Sequence, residues 1–349
     1  MNVISSAKET LSPAAVGAKA TAPLLHFAIE LESSTATRKP IDPSDLEHYT
    51  LRANDPSKFP VGALDQDTAH QLESVGRRLW NTFLRKQNCT VQTHSQSSQH
   101  QFYLRARLFG YLLLGIGLLG RPDANADQSA PYLTRLGLAL SKVCINQSDL
   151  ESARIALQKV TEYLPSSLCE TALGNGDGPA SSHADYASYY VLRIALSWKD
   201  DRLDLAEHMY SKATQHTPYI DTGTRTTLVH VLMHIGNSFS FKSNLAAAVP
   251  WFRRAAADSS VTLQERNTMN TEHLILHEQT RLTALSSLVR CLAGLKSRES
   301  LEEADHVVTL AQEEFGERRV EVLEMLVLVQ TADGKAGDAL TELLAVLLP

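Results

Sequence analysis

Apolar residues recur along this chain at intervals of three and four, and the elements they predict are helices. Leu24, Leu25, Phe27, Ala28 and Leu31 share one helical face, so a short helix is predicted to open at Pro23. Residues 1–22, rich in Ala, Ser, Thr and Lys, read as a flexible arm. Pro40, Pro43, Pro56 and Pro60 then predict a winding connection. Leu72, Val75, Leu79, Trp80 and Phe83 predict an amphipathic helix within 67–86, and the Gln-, Ser- and His-rich stretch 87–101 a solvated loop. The most apolar run, LFGYLLLGIGLL at 108–119, is flanked by Arg105, Arg107 and Arg121. Its 12 residues fall short of the roughly 20 that span a bilayer, so it reads as a core helix.

From residue 102 onward the helical pattern repeats itself. Ala153, Ala206, Ala248, Ala304 and Ala339 are each followed four residues later by a large apolar residue and seven later by Ala or Val. The followers are Leu157 and Val160, Tyr210 and Ala213, Phe252 and Ala255, Val308 and Ala311, Leu343 and Val346. Offsets of four and seven put three side chains on one helix face, the small ones where a partner helix comes close. One copy also carries Gly236 and Phe239, twelve and nine residues before Ala248, the small and aromatic positions of the first helix of a tetratricopeptide (TPR) repeat. The expected fold is therefore all-α, a superhelical array of TPR-like helix hairpins, or α-solenoid. It is expected to occupy 102–349, after the arm at 1–22 and a group of N-terminal helices at 23–101. Spacings of 53, 42, 56 and 35 residues between the alanines place insertions at 166–182 and 258–272. Because LTELLAVLLP runs apolar to the final residue, the array is expected to break off inside a repeat.

Composition agrees with helices: Leu fills 51 positions, and Gly and Pro together only 30. A net charge of -6 provides no overall field toward phosphate backbones or anionic membranes, so neither direct nucleic-acid binding nor membrane binding is expected. Cys89, Cys144, Cys169 and Cys291 show no CxxC or paired spacing, which excludes a disulfide scaffold and a zinc finger. No secretory leader is written at the N-terminus, and a cytosolic or nuclear protein is expected.

Candidate chemistry is sparse. His230 with His234, and His273 with His277, each present two imidazoles one turn apart, but neither pair is HExxH and no third ligand is placed. GNGDG at 174–178 lacks the Lys-Ser/Thr of a P-loop. Asp200-Asp201 and Glu302-Glu303 point to different helix faces, and Arg77-Arg78, Arg253-Arg254 and Arg318-Arg319 lack interleaved aromatics. No nucleophile triad or cofactor fingerprint emerges, so the expectation is a non-enzyme with no cofactor, metal or small-molecule substrate. In the frame set by Gly236, residues His230, Met233, His234, Asn237 and Phe241 face the groove and are the candidate partner-binding residues. Met233 stands where a clamp for C-terminal carboxylates carries a basic residue.

LLHFAIELESS (24–34), RRLWN (77–81), RLDLAEHMYSKA (202–213), VPWFRRAA (249–256) and AQEEFGERRVEVL (311–323) arrive in an order that resembles the meiosis-specific TPR scaffolds. These are the sporulation-specific and zipper-group proteins of fungi, with testis-expressed counterparts in animals, and the likeness is to their N-terminal part over residues 24–349. The resemblance implies a nuclear, chromosome-associated scaffold that couples crossover formation to synapsis of homologues through meiotic chromosome or crossover proteins, without catalysis. The alternative is a general TPR adaptor in a non-meiotic complex.

Overall fold

The computed structural model describes residues 13–37, 41–55, 65–90, 97–121, 126–165, 180–260, 269–316 and 319–335, with positions 57, 59, 62, 64, 266, 337 and 341. The described residues form α-helices without a strand and divide into two compact units, residues 1–216 and 217–349.

The first unit holds α1 (Pro13–Thr37), α2 (Pro43–Ala53), α3 (Gln66–Thr90), α4 (Ser97–Leu119), α5 (Ala126–Asn146), α6 (Leu150–Tyr163), α7 (Ala180–Lys199) and α8 (Leu203–Thr214). The first helix begins ten residues before Pro23, which lies inside it. Part of the expected arm is therefore helical. The apolar α4 is, among the described residues, the one helix long and apolar enough to cross a membrane. Most of it is buried among α2, α3, α5 and α6. Its approach to α3 is close enough that a Cβ on Gly76 would lie 2.8 Å from the Gly110 carbonyl oxygen.

Within the expected loop at 87–101, the described residues 87–90 and 97–101 are helical, as the end of α3 and the start of α4. Gln87 is buried there and accepts a hydrogen bond from buried Arg107, whose guanidinium lies 4.5 Å from the Trp80 ring centre. Polar composition predicted solvent; the buried cation keeps this amide inside, because an unpaired guanidinium in the core is costly.

The second unit holds α9 (Thr222–Phe241), α10 (Leu245–Asp258), α11 (Thr271–Leu295), α12 (Arg298–Phe315) and α13 (Val320–Ala332). Neighbours pack in one recurring scheme. Helices α5 and α6, α7 and α8, α9 and α10, and α11 and α12 form hairpins. Within each unit the first helix of the next hairpin packs on both helices of the one before: α7 on α5 and α6, α11 on α9 and α10, α13 on α11 and α12. This packing of neighbours is that of an α-solenoid.

The alanine repeat marks the second helix of every hairpin. Ala153, Ala206, Ala248 and Ala304 are fully buried, as are Leu157, Ala213, Ala255 and Ala311, while Tyr210 is half-buried. Gly236 faces Phe252 so closely that an added Cβ would sit 2.8 Å from its ring, and Phe239 packs against the same core. Ala339, with Leu343 and Val346, lies outside the described residues, as do GNGDG, Cys169 and Arg318.

The turns inside the hairpins share a geometry that the sequence did not announce. Ser148, Asp201, Ser243 and Lys296 are, among the described residues, the non-glycine positions with positive φ, at 60°, 58°, 58° and 54°. Each closes the first helix of a hairpin in the left-handed conformation usual at helix C-termini. The following N–H then bonds back five residues: Asp149 to Cys144 O, Arg202 to Ser197 O and Asn244 to Phe239 O. In these three the buried alanine follows the left-handed residue by five positions. Lys296 precedes Ala304 by eight, and the second helix is longer by about one turn before its alanine. Gly334, at φ 80°, repeats the turn, with Lys335 N–H on Gln330 O at 2.8 Å, and Ala339 again follows by five.

Candidate functional face and family

The five groove candidates lie on one side of α9. His230, His234 and Phe241 are exposed and Met233 and Asn237 half-buried, while Leu228, Val229, Leu232 and Ile235 of the same helix are buried. Amphipathicity alone accounts for the division: the apolar stripe meets α10 and α11, and the other side faces solvent. Phe241 is 89% exposed, unusual for so large an apolar ring.

The shared turn extends this face beyond the residues the sequence singled out. Positions thirteen, ten and six before the left-handed residue are His230, Met233 and Asn237 in α9, Thr283, Ser286 and Arg290 in α11, and Glu321, Glu324 and Leu328 in α13. All nine are exposed or half-buried. Because α11 packs on α9 and α13 on α11, the three helices that carry these rows are successive neighbours in the second unit. The face runs from imidazole and amide, through hydroxyl and guanidinium, to carboxylate, with Arg319 paired to Glu321 at 3.3 Å. Thr283, Ser286, Arg290, Glu321, Glu324 and Leu328 escaped the sequence reading because α11 and α13 lack the Gly-and-Phe signature that set the frame in α9. Counting back from the turns would have found them.

The other candidates are dispersed. His273 is exposed and His277 half-buried, and among the described residues no three His, Cys, Asp or Glu side chains gather within reach of one metal ion. A different pair of imidazoles meets: His183 and His216 in the first unit, both buried, with Nδ1 atoms 3.2 Å apart. His216 also stacks on Tyr186 and Tyr190, each at 5.7 Å, and burial, then His183 and Lys212, depress its pKa. Cys144 is buried and its thiol is pushed up to about 12, far from a reactive thiolate.

The paired arginines are tied locally: Arg77 to Glu73, Arg78 to Glu32 and Arg253 to Glu303, with Arg254 over the Trp251 ring. Asp200 accepts a bidentate pair of bonds from Arg154, and Asp201 supplies the left-handed turn, so this acidic pair is architectural.

Comparison with family models matches residues 196–348 to the family described as Meiosis protein SPO22/ZIP4 like. That stretch is similar to this family. The SPO22/ZIP4-like segment takes in the end of α7, α8 and every helix of the second unit, and with them the whole nine-residue face. It also contains RLDLAEHMYSKA, VPWFRRAA and AQEEFGERRVEVL. LLHFAIELESS and RRLWN fall outside it, so the match lies on the C-terminal part of this chain rather than reaching back to residue 24. Searches of curated proteins and of solved structures return no match.

Proposed function

We propose that the chain is a non-catalytic protein-interaction scaffold acting in meiosis, one that helps couple crossover recombination to synapsis of homologous chromosomes in the nucleus. The observation that carries this reading is the coincidence of the SPO22/ZIP4-like match with the unit bearing the solvent-facing row of α9, α11 and α13. Stacked hairpins offer a continuous surface on which a partner segment can lie, and its selectivity is set by the side chains along the first helices. His230, Met233, His234, Asn237 and Phe241 form one edge of that surface.

Fusing a fluorescent tag to the chain in its host and following it through vegetative growth and meiosis tests the reading. Meiosis-restricted foci on chromosomes are expected; a constitutive cytoplasmic signal overturns it and leaves a general helical-repeat adaptor. For the surface itself, His234→Ala with Asn237→Ala is expected to weaken partner capture in meiotic extracts while the helical circular-dichroism signal stays unchanged. Lost helicity in that variant would make both residues structural.

A further inference from the structure

Helices α9 and α11 pack together and run in the same direction. Thr226 and Thr280, in their first halves, line one small cavity, and toward their ends Cys291 Sγ lies 4.0 Å from Ser240 Oγ. One residue on from Ser240 and one back from Cys291, each helix turns by about 100°. Because the helices are parallel, both steps lead to the same side of the pair. Phe241 and Arg290 therefore project from one side, both exposed, with Asn237 one turn before Phe241.

Arg290 differs from the other arginines around it. Arg253, Arg266, Arg281, Arg298 and Arg319 each pair with a glutamate, whereas Arg290 makes no ion pair or hydrogen bond with a described residue. The chain supplies it with no local counter-charge: neither 222–257 nor 279–298 contains an Asp or a Glu. Carboxylates enter this face only on α13, as Glu321 and Glu324. On the α9 side Phe241 holds an apolar ring in water. Aromatic rings and arginines are the side chains that most often anchor protein interfaces.

An unengaged guanidinium beside an exposed ring is complemented by a carboxylate beside an apolar side chain. We propose that this side of the α9–α11 pair docks a short acidic peptide segment, one partner carboxylate pairing with Arg290 and one partner apolar side chain packing on Phe241. The occupant is a peptide rather than a nucleic acid, because Glu321 and Glu324 on the adjacent α13 repel a phosphate backbone that continues across the unit. A peptide confines its acidic residues to α9 and α11. The inference rests on taking this face as the partner surface, and adds to it the partner's chemistry.

The test pans a phage-displayed library of random peptides on the full-length chain and measures the recovered sequences as fluorescein-labelled synthetic peptides. They are expected to be net acidic, to carry a large apolar residue, and to bind more weakly as salt rises. Arg290→Glu, which sets like charges opposite each other, should weaken binding by about tenfold or more, Phe241→Ala by about fivefold and the milder Arg290→Gln by about threefold. All three variants should melt as the native protein does, the replaced side chains being exposed. Exchanging the peptide's critical carboxylate for lysine should restore binding to Arg290→Glu. A library that yields no binder or only neutral and basic ones, undiminished binding in the folded variants, or a charge exchange that restores nothing overturns the proposal. So does an oligothymidylate that competes as well as the peptides, which would mark a nucleic-acid surface. The two conclusions fail separately: acidic-peptide binding by a protein that stays cytoplasmic through meiosis keeps this one and removes the meiotic reading, whereas meiotic foci with undiminished peptide binding in Arg290→Glu do the reverse.

Discussion

Gly236 shows how a single absent atom fixes a helix pair. A Cβ there would meet the Phe252 ring at 2.8 Å, and the ring, only 1% exposed, has no free volume into which to move. Gly236→Ala is therefore expected to destabilise the protein by about 1–3 kcal/mol, the usual cost of overpacking, measured by chemical denaturation. Ala248→Glu, which places a carboxylate at a fully buried position, should cost about 3 kcal/mol or more. An unchanged denaturation midpoint in either variant would contradict the register. At the same scale, His216 links stability to pH. Its folded pKa lies below the unfolded value, so the unfolded chain takes up the proton first as acid is added. Stability is unpenalised above about pH 6.5 and declines below it. The melting temperature is expected to fall more steeply between pH 7 and 5.5 in the native protein than in His216→Phe, which keeps a ring against Tyr186 and Tyr190; equal slopes would refute the assignment.

The hairpin turn governs the elements. A left-handed non-glycine residue costs roughly 1–2 kcal/mol, yet Ser148, Asp201, Ser243 and Lys296 adopt that conformation where Gly334 does so without penalty. Ser243→Gly is therefore expected to raise stability by about 0.5–1 kcal/mol in denaturant titrations, and Ser243→Val to lower it. This explains why the sequence disclosed some features and concealed others. Ala153, Ala206, Ala248 and Ala304 were legible because close helix approach demands a small side chain, and a repeated demand leaves a repeated letter. The turns were illegible because their conformation is imposed by the packed helices on residues that do not ordinarily favour it. Gln87 was misread for a related reason: composition records polarity, but only the fold brings Arg107 to its amide oxygen. On α9 the candidate face followed from helical spacing; its continuation on α11 and α13 required the turn positions.

Across the whole molecule, two kinds of connection behave differently. Within hairpins, α5 to α6, α7 to α8, α9 to α10 and α11 to α12 are joined by two or three residues. Between hairpins the connections vary, from 16 residues separating α6 and α7 to 12 separating α10 and α11 and four separating α12 and α13. Loop-closure entropy grows only logarithmically with length, so extra residues between hairpins cost little, whereas one extra residue in a left-handed turn rotates the second helix out of register. The chain thus carries its own guide for engineering. A protease site or crosslinking tag placed after the exposed Ser260 should leave the melting transition intact, while the same insertion between Phe241 and Leu245 should collapse it, and an insertion scan read out by thermal melting would map the boundary of every hairpin.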